Sequence, residues 1–369
     1  MLTQSQKYKV EFFKTGFKEF LKCNEEQSKI VDGMFQTLID VYLYFKDEVP
    51  YVSVKDDIYP FYMITPSNGE YELLDYFLNK IVQNVENINT YSIGNQFDLG
   101  HKELGIDLSR YDDYQKNYSP MEIQLFKNKS IVHETIHALS FASFLQRQNS
   151  YVKAGSVDNA KSIEEYNKKR EIYKSINPNT INKDRIKVFF GTGSDYIPGG
   201  RIYVEAFTEA FAVTLSHLRE YANLMLQNDN DDILKFYSFV NNDLDFSIFT
   251  PNKFTGYKYA SNYFYLIMQL VSKKSIFETM FLGKDTLVNE INSLDDNLDL
   301  FNYLGEKMWN LIEYQDDVEL IKNEMIELSK IIIKIYSRKN KLNELNYDYF
   351  IDCDEVNEIV NSYLNNKSK

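Results

Sequence analysis

Apolar residues recur at helical spacing almost from the first position. Phe12, Phe13, Phe17 and Phe20 mark one helix, and Ile30, Met34, Leu38, Val41 and Phe45 mark a second, so residues 5–49 are expected to form two helices ending at Pro50. Residues 51–65 read differently. Two short extended runs, 51–54 and 61–65, are separated by Asp56, Asp57 and Pro60. Pro66-Ser67-Asn68-Gly69 is a turn, and the pattern then predicts a helix over about 70–87. Residues 91–108 alternate and carry Gly94, Gly100 and Gly105, which suits one or two strands. Ser119 and Pro120 are placed as N-cap and first residue of a long apolar helix, with no Gly or Pro from 121 to 149.

Beyond that helix the chain turns polar, and 150–185 reads as an insertion or lid. The densest Gly/Pro cluster, 188–200, leads into a helix expected over 201–226, and the acidic stretch 229–232 breaks it. From 233 to 366 nearly everything has helical periodicity, with breaks near 251–256, 283–286 and 339–342. The expected organisation is therefore 1–118, N-terminal helices with a small sheet; 119–228, a central pair of helices with the polar insertion; and 229–369, a helical C-terminal part. The fold class is α+β, predominantly α.

Composition narrows the partners. Apolar residues make up 44% of 369 and aromatics 15%, enough for a folded core, while 14 Gly and 7 Pro are few for a turn-rich β fold. A net charge of −13 argues against nucleic acid and against anionic membrane surfaces. No stretch is long and apolar enough to span a bilayer, and the N-terminus lacks the apolar segment of a secretory signal. The expected location is cytoplasmic, or outside the cell by a route without a classical signal peptide. Cys23 and Cys353 lie far apart, in neither metal nor redox spacing. Oligomeric state is left open.

The candidate chemistry lies in His133-Glu134-Thr135-Ile136-His137, two of the chain's four histidines in an HExxH box. On a helix, positions i and i+4 share a face, so both imidazoles can reach one Zn²⁺ while Glu134 serves as general base. Catalytic zinc usually takes three protein ligands and keeps one position for water. Continuation as HExxHxxGxxH fails, since Ser140 and Ser143 stand where Gly and a third His would be. A GTxD pattern fails by one residue in Gly191-Thr192-Gly193-Ser194-Asp195, leaving Asp195 as an alternative ligand. The favoured third ligand is Glu205, in Glu205-Ala206-Phe207-Thr208-Glu209-Ala210-Phe211. Glu205 and Glu209 fall on one helical face; one carboxylate can bind metal while the other accepts the free N–H of a ligating histidine. Glu209 therefore stands as the supporting carboxylate and as a second alternative ligand.

HETIHAL followed by ExxxEAF resembles the gluzincin zinc metallopeptidases, and within them the family of the anthrax lethal factor catalytic domain and the Pro-Pro endopeptidases. The resemblance covers roughly residues 120–220. It implies a zincin-like catalytic core, Zn²⁺ held by His133, His137 and Glu205, and a supporting Glu209. It also implies an upstream tyrosine that stabilises the oxyanion, for which Tyr196 and Tyr203 are the nearest candidates. Neither has the family's usual offset, and the interval from His137 to Glu205 is longer here, in keeping with the polar insertion. His217 is a further possible oxyanion donor, although its place on the same helix as Glu209 also suits a packing role.

The function expected is that of a zinc metalloendopeptidase, a hydrolase acting on a protein or peptide substrate. A bacterial toxin or effector of narrow specificity is one form it could take. The alternative is a zinc-binding protein that recognises a partner through its helical flanks without catalysis. If the substrate adds a strand to a sheet edge, the run 91–99 is the candidate edge.

Overall fold

The computed structural model describes residues 2–53, 70–90, 95–98, 102–116, 118, 120–140, 205–210, 212, 258–282, 284, 286–295, 299–313, 317–345, 350 and 354–366. The described residues are mostly helical with a small amount of sheet, an α+β chain dominated by α. They fall into two compact units.

The first unit opens with α1 (Gln4–Leu21) and α2 (Glu25–Phe45), each begun by a capping box: Thr3 with Gln6, and Asn24 with Gln27. Lys22, in the left-handed conformation at φ 52°, turns the chain between them. Val10, Phe13 and Phe17 bury the inner face of α1. Phe12 and Phe20, which share the helical spacing that marked α1, are 75% and 67% exposed. They share the i+4 row of Tyr8, on the face of α1 turned away from the core, and a helix packed on one side buries only one stripe.

Strand β1 (Tyr51–Ser53) pairs antiparallel with β2 (Glu70–Glu72). Residues 70–72 are thus a strand, not the first turn of a helix. Glu-Tyr-Glu has the period of two that sets Tyr71 beside Val52, both buried. Helix α3 (Leu73–Asn84) follows directly. β3 (Asn87–Asn89) pairs parallel with β5 (Glu103–Gly105), and β4 (Gln96–Asp98) pairs antiparallel with β5, in the order β3-β5-β4. A 3₁₀ turn over Ser109–Lys116, which periodicity did not foretell, leads into α4 (Pro120–Leu139). Helices α2 and α3, β4, β5 and the 3₁₀ turn all pack on α4.

The second unit is helical. It comprises α5 (Lys258–Met268), α6 (Lys273–Leu282), α7 (Thr286–Asn292), α8 (Leu300–Glu313), α9 (Val318–Arg338) and α10 (Asp354–Asn366), with a 3₁₀ turn at Leu342–Glu344. Buried tyrosines tie α5 to α9. Tyr263 Oη donates to Met325 O at 2.9 Å, and Tyr336 Oη donates to Leu266 O at 2.8 Å. Asp295, 3% exposed, holds the end of α7 to α9 through Lys334 Nζ at 2.9 Å and Arg338 Nη1 at 3.1 Å. No described helix is long and apolar enough to cross a membrane. The expected insertion at 150–185, the Gly/Pro cluster at 188–200 and the break at 229–232 lie outside the described residues.

Helix α3 buries nearly every position, including Lys80 at 2% exposure. Lys80 Nζ donates to Tyr76 Oη at 3.2 Å, and desolvation pushes its amine from 10.5 down to about 7. Its folded value lies below its unfolded one, so folding releases a proton between those two pH values and stability rises with pH across that range. Lys80→Met, similar in length and free of the charge, is expected to raise the urea midpoint at pH 7 and to flatten its rise between pH 7 and 9.5. An unchanged slope would exclude Lys80 as its source.

Candidate metal centre

From Ile131 onward, helix α4 is buried nearly all round, packed on several sides by α2, α3, β4, β5 and the 3₁₀ turn. Ile131, Val132, Ile136, Ala138 and Leu139 are buried. Its buried hydroxyls are absorbed by its own backbone: Thr135 Oγ1 donates to Ile131 O at 2.6 Å, and Ser140 Oγ to Ile136 O at 2.7 Å. The remaining polar groups of the HExxH segment are Glu134 and His137, 6% and 5% exposed, and His133, half-buried.

One helical turn brings the two imidazoles together. Their Nε2 atoms stand 3.1 Å apart, and the rings meet edge to face at 4.8 Å between centroids. A tetrahedral zinc with bonds to nitrogen of ~2.0–2.1 Å sets two ligand nitrogens about 3.3 Å apart, so this spacing suits a shared ion. Glu205 completes the group. One donor atom from each of His133, His137 and Glu205 lies within 4.8 Å of the others, a possible metal-binding triad. Two imidazoles and a carboxylate are a donor set that zinc accepts, with room for a fourth ligand.

Glu205 begins the helical segment 205–210. Ala206, Phe207 and Ala210 are fully buried, and the Phe207 ring lies edge-on to those of Phe264 and Phe281, each at 6.0 Å. Those contacts fix the segment from below. Glu209, one turn on from Glu205, is 1% exposed, far from the solvated carboxylate an amphipathic surface helix would carry. Asp195, Tyr196, Tyr203 and His217 lie outside the described residues.

Two supports of α4 had no place in the motif analysis. Gly33 of α2 faces Ile131, two positions before His133; a Cβ on Gly33 would meet Ile131 Cγ2 at 2.8 Å. An isolated glycine inside a helical pattern is the sequence signal of such an approach. Asn84, at the end of α3, donates Nδ2 to Ala138 O at 2.6 Å, immediately after His137. No family model, curated protein or solved structure matches the chain.

The same substitution should act oppositely at two helical glycines. Gly16, in α1, has open space where a Cβ would stand, so Gly16→Ala should stabilise by about 0.5–1 kcal/mol. Gly33→Ala gains the same propensity but drives a methyl into Ile131, and overpacking costs ~1–3 kcal/mol. Urea denaturation of both variants checks the pair, the expected result being midpoints on either side of the native one.

Proposed function

We propose that the protein is a zinc-dependent endopeptidase that hydrolyses peptide bonds of a protein substrate, related to the gluzincins it resembles in HETIH and ExxxEAF. The observation that carries this reading is the meeting of His133, His137 and Glu205 within 4.8 Å, on an HExxH helix with Glu134 between the two histidines. Buried acids add support. Glu134 and Glu209, both nearly without solvent, sit on the same helical stretches as the three donors, and a divalent cation nearby would offset the cost of burying them.

In this reading His133, His137 and Glu205 hold the ion. A zinc ion held there would supply Lewis acidity toward the scissile carbonyl and toward the attacking water, whose pKa would fall toward ~7. Glu134 takes a proton from the attacking water and delivers it to the leaving nitrogen, so one water and one amide become a carboxylate and a protonated amine. Glu209 orients a ligating imidazole by accepting its second N–H. Tyr196 and Tyr203 are the candidates to donate to the oxyanion. The zincin-like core and a toxin-like, narrow specificity belong to the same proposal.

An edge of the sheet supports the reading of a peptide substrate. β4 ends the order β3-β5-β4 and, among the described residues, pairs only with β5 while lying along α4. An extended peptide added to its outer edge would run beside the metal helix with its register set by main-chain hydrogen bonds.

Zinc counted per chain by plasma mass spectrometry is the first test. About one ion in the native protein, lost in His137→Ala and Glu205→Ala, is the expected outcome. Glu134→Gln should keep the ion and lose hydrolysis by ~10²-fold or more, as removal of a general base requires. A native chain that takes up no zinc after reconstitution would end the protease reading. Full activity in Glu134→Gln would end the base assignment and favour the non-catalytic alternative.

A further inference from the structure

We infer that Asn95, Tyr111 and Ser130 form a polar clasp that positions the HExxH stretch of α4, acting through the helix and not on substrate. The inference rests on the metal reading of the site for its consequence, while the clasp itself stands on hydrogen bonds among Asn95, Tyr111 and Ser130.

Ser130 lies one turn before His133 and Glu134, on the face of α4 that carries His137 two turns on. It is 4% exposed. Its Oγ is 2.6 Å from Tyr111 Oη, and Asn95 Nδ2 reaches both oxygens, at 2.9 Å from Ser130 Oγ and 2.8 Å from Tyr111 Oη. Asn95 Oδ1 accepts from Asp107 N at 3.1 Å. That bond closes the base of the β4–β5 hairpin, because Asn95 immediately precedes β4 and Asp107 follows β5. Asp107 in turn caps the 3₁₀ turn, its Oδ1 accepting from Ser109 N at 3.0 Å and Arg110 N at 3.3 Å.

The same turn is strapped along the outside of α4. Tyr111 stacks on Phe126 with ring planes 5° apart, and Lys127 Nζ pairs with Asp112 at 2.9 Å. Hairpin, turn and helix therefore converge on one buried hydroxyl. A serine inside a helix ordinarily turns back to its own carbonyls, as Thr135 and Ser140 do. Ser130 bonds across to other elements, and a metal ligand one turn away needs its helix fixed against sliding and rotation. Groups that orient ligands from behind tune metal affinity by about 10- to 100-fold.

The test uses the full chain carrying Tyr111→Phe, Ser130→Ala and the two together. Tyr111→Phe keeps the ring on Phe126 and removes only the hydroxyl, so it should fold. Zn²⁺ affinity is read by competition with a chromophoric chelator, and amide exchange by mass spectrometry without metal. Each single variant should bind Zn²⁺ about tenfold more weakly, and the double variant little worse than either, as members of one network do. Exchange at 130–137 should quicken while that of α1 stays as it was. Unchanged affinity with unchanged exchange, or exchange quickened evenly through the chain, would overturn the clasp. If the native chain binds no Zn²⁺, the metal reading fails, and local exchange at 130–137 still decides whether the clasp exists.

Discussion

The packing of α2, α3, β4, β5 and the 3₁₀ turn around α4 is the constraint on which the first unit depends, and on that helix the Nε2 atoms of His133 and His137 stand 3.1 Å apart. Two histidines one turn apart can adopt many separations on a free helix, since each side chain rotates about two bonds. Fixing them requires that the helix itself be immobile and that its side chains be locked by neighbours. Helix α4 meets the requirement by being enclosed. Gly33 lets α2 approach to contact with Ile131, Asn84 grips the carbonyl after His137, and β4 and β5 lie along its length.

Enclosure has a cost in polar groups, and the molecule meets it economically. Thr135 and Ser140 satisfy themselves on the carbonyls four residues back. What remains polar on the HExxH stretch is the set that chemistry would use. Lys80 is a different case: its amine is hydrogen-bonded to Tyr76 Oη, yet nearly all of its water is removed and desolvation pushes its pKa down to about 7.

The second unit solves a different problem. Its helices bury an aromatic core, with Tyr263 and Tyr336 as fully buried side chains whose hydroxyls close on backbone carbonyls of neighbouring helices. Ion pairs then tie further elements to α9: Asp295, beyond the end of α7, pairs with Lys334 and Arg338, and Glu324 of α9 pairs with Lys307 of α8. Phe207 belongs to the same aromatic packing, by which the segment bearing Glu205 is held at its buried side.

Periodicity and motif spacing were sufficient for the elements that local physics governs. Helices α1, α2 and α4, the helical character of the C-terminal part and the strands near 51–53 and 96–105 follow from apolar spacing, caps and glycines, while the division of that part into separate helices was read only near 283–286 and 339–342. The HExxH pair was legible because i and i+4 share a face on any helix. Glu205 was legible as a type and a spacing, and it belongs to the possible metal-binding triad. The exposure of Phe12 and Phe20, the strand at 70–72 and the bond from Asn95 to Ser130 were not legible, because each depends on a partner remote in sequence. A sequence by itself determines which faces a helix can offer. Only the tertiary structure decides which face is covered, since burial is a property of what the rest of the chain brings to it.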